Sequence, residues 1–79
     1  MNKKEFSKLL KEAKGGDARA MYLVALEYEI GEVVKADGEK ALYWMNKSAD
    51  LGDKDAYDWL RQYYFEDGAD ALEMLRGYI

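Results

Sequence analysis

The amino-acid sequence predicts an all-α protein in which antiparallel helical hairpins stack as a short right-handed α-α superhelix of about five helices. Three observations predict it. Asp17, Ala20, Val24 and Tyr28 recur as Asp53, Ala56, Leu60 and Tyr64, each 36 residues later, and Gly16 recurs as Gly52; a fixed period of this size marks stacked helical hairpins. Apolar residues fall at 3.6-residue spacing in one segment after another, with no strand-like alternation. The chain has no proline, and glycines and aspartates separate the periodic segments, so short turns between neighbouring helices are expected.

Each element has its own signal. Phe6, Leu9, Leu10 and Ala13 lie on one face of a helix over 2–14. Asn2 followed by Glu5 has capping-box spacing, and Lys11 and Lys14 suit the helix C-terminus. Gly15 and Gly16 end it, since glycine adopts the left-handed conformation without steric cost. Asp17 caps a second helix, 18–30, which is apolar almost all round and therefore expected at the centre, with helices one, three and four against it. Gly31 ends that helix, and Val33 or Val34 plugs the hairpin loop over 32–37. Asp37 caps a third helix, 38–50, that turns Ala41, Leu42, Trp44, Met45, Ser48 and Ala49 inward. Leu51 is expected to pack over its end before Gly52 stops it. Asp53 caps a fourth helix, 54–66, with Ala56, Trp59, Leu60, Tyr63 and Tyr64 on its apolar side. After Asp67-Gly68, a fifth helix is expected over 69–78.

Ala20, Tyr28, Gly31, Val34, Asp37, Ala41, Trp44, Ala49 and Gly52 together resemble the Sel-one-like repeat family, a relative of the tetratricopeptide repeats. The pattern is departed from at Ala25 and Arg61, where the family has a glycine. Val33 stands in place of a loop glycine, Met45 of a tyrosine and Ser48 of an alanine, and Asp67 replaces the glycine equivalent to Gly31. Ala41 finds its counterpart at Ala71, so the second copy is six loop residues short. The resemblance implies a single repeat domain over 1–79, with a capping helix (1–16), a full repeat (17–52) and a partial, shortened repeat (53–79). It also implies an adaptor that holds a partner protein or peptide in a concave groove lined by the first helix of each hairpin. On that basis Tyr22, Glu29, Tyr57 and Arg61 are the candidate partner-binding residues, tyrosine and arginine being enriched where binding energy concentrates.

Composition limits the alternatives. The 79 residues include no cysteine and no histidine, which removes the usual zinc ligands and thiolate chemistry. Ser7 and Ser48 are the only hydroxyl nucleophiles besides tyrosine, and no histidine is present to activate them. The carboxylates Glu27, Glu29, Asp53, Asp55 and Asp58 read as solvated faces and helix-start charges, so no catalytic residue, cofactor or metal is expected. Residues 1–14 carry five lysines and two glutamates, whereas 15–79 carry fourteen acids and seven bases. Such an acidic body argues against a nucleic-acid partner, which needs a cationic footprint. Lys4, Lys8 and Lys11 read as the wet face of an end helix. No apolar run approaches a membrane span, the N-terminus is too charged for a secretory signal, and a cytoplasmic protein is expected.

A second reading comes from the same charge. A small acidic chain could be an immunity-type or anti-defence inhibitor that blocks a basic active site, using Asp53, Asp55, Asp58, Glu66 and Asp67. Homo-oligomerisation through Leu10 or Leu75, on the outer helices, is a third expectation.

Overall fold

Short polar side chains start the helices by taking over backbone N–H groups that have no partner within the helix. The computed structural model describes residues 1–66, which form α1 (Lys3–Lys14), α2 (Ala18–Ile30), α3 (Gly38–Asp50) and α4 (Lys54–Glu66). Asn2 accepts from the Glu5 backbone at 2.8 Å while Glu5 accepts from the Asn2 backbone at 3.2 Å, completing the capping box. Asp17, Asp37 and Asp53 each accept from the backbone N–H three residues on, at 2.9, 3.0 and 3.0 Å. The fifth helix expected over 69–78 lies outside the described residues, as does Leu75.

The 36-residue period appears as repeated geometry. The turn into α2 and the turn into α4 are built alike. Gly16 (φ 106°) and Gly52 (φ 98°) both take the left-handed conformation. Their amides donate to Ala13 and Ala49, and those of Asp17 and Asp53 donate back to Glu12 and Ser48. Gly15 is not left-handed: with φ −80° it is an ordinary αR residue, so Gly16 alone makes the reversal. Leu51 holds the equivalent place in the second turn, with φ −89°. That place faces solvent, and Leu51 is 57% exposed instead of covering the helix end.

From these starts the same stripe is buried in both helices: Ala20 and Val24 in α2, Ala56, Leu60 and Tyr64 in α4, with Tyr28 packed partly buried against the core. Trp44, Met45 and Ala41 fill the space from α3, and Phe6 and Ala13 from α1. Successive helices run antiparallel. Phe6 near the start of α1 meets Tyr28 near the end of α2, edge to face at 5.7 Å between ring centroids. Ser48 near the end of α3 donates its hydroxyl to the Ala18 carbonyl at the start of α2, at 2.7 Å. This bond explains how a hydroxyl is tolerated where Ser48 is fully buried.

α2 packs most extensively on α3 and next on α1, while α4 packs on α3. The centre is thus shared between α2 and α3, where the sequence suggested α2 alone. The cause is the turn over 51–53. Three residues can only return the chain alongside α3, so α4 reaches α2 through long side chains.

The α2–α3 connection is held more tightly. Gly31 closes α2 at φ 75°, and the Asp37 amide donates to the Tyr28 carbonyl at 3.0 Å. Val33 and Val34 are half-buried against the core. A Cβ at Gly31 would lie 2.7 Å from the Ala36 Cβ, whereas one at Gly16 would meet open space. Both positions are left-handed, but only Gly31 is also crowded. Gly31→Ala is therefore expected to cost about 2 kcal/mol or more and Gly16→Ala about 1 kcal/mol; equal losses in urea denaturation would contradict this packing. Ser48→Ala should cost about 1 kcal/mol, the net worth of one hydrogen bond, also measured by urea denaturation.

Candidate partner-binding cleft

α2 and α4 run in the same direction, and side-chain bridges join them at two levels. At their N-termini, the Arg19 guanidinium contacts Asp53 at 3.2 Å and Asp55 at 2.7 Å. Arg19 also lies over the Tyr22 ring, 4.6 Å from its centroid. The two carboxylates raise the Arg19 pKa above its ordinary value, through the hydrogen bond to Asp55 first and that to Asp53 second. Farther along, near the end of α2 and the middle of α4, the Trp59 indole N–H donates to a Glu29 carboxylate oxygen at 3.0 Å.

From the second bridge onward, toward the end of α2 and the start of α3, the helices do not close on each other, and a cleft of about 740 Å³ opens there. Tyr28 and Glu29 of α2 form one wall and Trp59 and Tyr63 of α4 the other. The loop residues Ala36 and Asp37, with Gly38, Glu39, Ala41 and Leu42 from the first turns of α3, close the end. Trp59 and Tyr63 are one helical turn apart, and their rings stack at 5.3 Å with an interplanar angle of 11°. Tyr63 is 38% exposed. The cleft thus combines this stacked aromatic pair with the carboxylates of Glu29, Asp37 and Glu39. Asp37 is partly occupied as the cap of α3.

The candidate residues are distributed over this geometry as follows. Glu29 lines the cleft. Tyr22 is half-buried on α2 beneath Arg19. Tyr57 lies elsewhere, in a depression with Ala49, Gly52, Asp53, Lys54 and Asp58. Arg61 follows Tyr57 by one turn on the same flank of α4 and is exposed. That flank is separated from Trp59 and Tyr63 by the buried stripe of Ala56, Leu60 and Tyr64. The structure therefore joins Glu29 to Trp59 and Tyr63, and sets Tyr57 and Arg61 apart.

The acidic set is reduced in free charge. Asp53 is a helix cap whose side chain is only 8% exposed, and Arg19 pairs with both Asp53 and Asp55. Asp58 is exposed beside Tyr57. The Glu66 side chain and Asp67 lie outside what is described. Among the described residues no group of carboxylates is arranged to hold a metal ion, and no helix is long and apolar enough to cross a membrane.

A stack of capped antiparallel helices with an open cleft between α2 and α4 is a helical-repeat architecture. Residues 18–53 match the family model described as Sel1 repeat. That segment, a little under half of the chain, is similar to a Sel1 repeat. Repeats of this family are in general protein–protein interaction units, not catalytic ones. No curated protein and no solved structure gives a significant match to the chain.

Asp53 and Asp55 share Arg19 but differ in burial and in capping. Asp53→Ala should cost about 1 kcal/mol through the lost cap, and Asp55→Ala no more than about 0.5 kcal/mol, as exposed ion pairs do. Thermal unfolding of the two variants checks the order.

Proposed function

We propose that this chain is an interaction module that holds a segment of a partner protein in the cleft between α2 and α4. The observation that carries the reading is the stacked Trp59–Tyr63 wall with the Glu29 carboxylate fixed beside it by the indole N–H. An aromatic surface with one end in solvent suits a binding face, because it supplies contact area with little side-chain freedom to lose. The similarity of 18–53 to a Sel1 repeat supports the same class of function. Glu29 is retained from the candidates as a direct contact, with Trp59 and Tyr63 added to it. Tyr57 and Arg61 form a second contact surface for a partner large enough to reach round α4. Tyr22 acts on the site indirectly, since its ring supports Arg19.

The inhibitor reading has less support, because it rests on free carboxylates and Arg19 already pairs with Asp53 and Asp55.

The test is affinity capture from the native host with the full chain, followed by measurement of the captured partner against variants. Tyr63→Ala should weaken the complex by about 2 kcal/mol if its ring is an anchor. Tyr57→Ala and Arg61→Ala should weaken it less. The order is read by isothermal titration, with circular dichroism to confirm that each variant is folded. Loss confined to the Tyr57 and Arg61 variants would move the site to the other flank of α4.

A further inference from the structure

Among the described residues, three aromatic faces are already covered by cations of the same chain: Tyr22 by Arg19, Tyr28 by Lys40 at 5.5 Å and Tyr43 by Lys47 at 5.2 Å. The stacked pair of Trp59 and Tyr63 is different. Each of its rings covers one face of the other, and among the described residues no cation lies over the outer faces. Lys40 lines a neighbouring depression with Tyr28, Val34 and Ala36, not the wall formed by Trp59 and Tyr63. The carboxylates of Glu29 and Glu39 border the cleft. Glu29 has one oxygen engaged by the Trp59 N–H, and its other oxygen is left as an acceptor.

From this juxtaposition we infer that the cleft takes an arginine side chain of the partner segment, its guanidinium flat against an outer face of the Trp59–Tyr63 stack and hydrogen-bonded to Glu29. The inference rests on the interaction-module reading and gives it a ligand chemistry. Planarity favours arginine over lysine. A guanidinium can stack on an aromatic face while its edge donates to a carboxylate, whereas an ammonium is a compact, strongly hydrated point charge. Charge favours it over a neutral side chain, because the cleft's carboxylates would otherwise have no counter-charge among the residues that line it. The Trp59–Glu29 bond has a defined part in this. It fixes the carboxylate at the edge of the indole ring, so that one ligand can meet both.

The test follows the indole N–H resonances of the full chain by NMR, with Trp44 as the internal reference and Trp59→Phe to assign the pair. The probes are N-acetyl-L-argininamide and N-acetyl-L-citrullinamide, which is close in shape but neutral. A saturable shift of the Trp59 resonance by the arginine compound alone is expected. Glu29→Gln keeps an acceptor for the indole but removes the charge, and should lower that affinity about tenfold; Lys47→Ala should leave it unchanged. Equal shifts from the two probes, no saturable shift, or indifference to Glu29→Gln would overturn the arginine assignment. A displayed library of twelve-residue peptides, selected on the full chain, separates this from failure of the cleft itself. Selected peptides that lose binding to Tyr63→Ala and share an arginine support the inference. Peptides that lose binding to Tyr63→Ala but share no arginine overturn it and leave the cleft standing. If no selected peptide responds to Tyr63→Ala or Trp59→Phe, both readings fall.

Discussion

The structure depends on where two aspartates allow a helix to begin. Asp17 and Asp53 each cap with the same bond geometry, each after a left-handed glycine. Fixing the first turn fixes the phase of all later turns, so the buried stripe of α2 is repeated in α4. Two helices started alike and returned by a hairpin run parallel. That places Arg19 opposite Asp53 and Asp55, and Glu29 opposite Trp59. The cleft is thus a consequence of capping: it is the space left between two parallel helices that each pack mainly on α3.

The fold was readable because its determinants are local. Asn2 and Glu5, the three aspartates and Gly31 announce the helix ends through bonds spanning a few residues. Even the central hairpin was legible, since Trp44, Met45 and Ser48 share one face of a single helix. Two local details were misread for want of local information. Gly15 and Gly16 look interchangeable in sequence, and only the turn geometry gives the left-handed place to Gly16. Leu51 is an apolar residue at a turn position that faces solvent, which no periodicity marks.

The site was less legible because it is made by register between elements. Arg19 and Asp55 occupy the same place in successive repeats and carry opposite charges, so that bridge had a readable signal. Glu29 and Trp59 are 30 residues apart, an offset that differs from the repeat and follows from how the helices lie together. Trp59 therefore read as one more residue on the apolar side of α4. Its indole nitrogen, directed at Glu29, could not be inferred from position alone. Tyr57 and Arg61 belong to the right helix but to its other flank.

The arrangement of charge along the stack has a further consequence. All five lysines of α1 are exposed in the outermost layer, while residues 15–66 carry eleven carboxylates against six cations. The molecule is therefore an electric dipole as well as a net anion. In the field of a basic partner it experiences a torque before any surfaces touch, which turns α1 outward and the later helices inward. Orientation is thereby partly settled during diffusion, and raising the ionic strength would slow productive encounter by shortening the range of that torque.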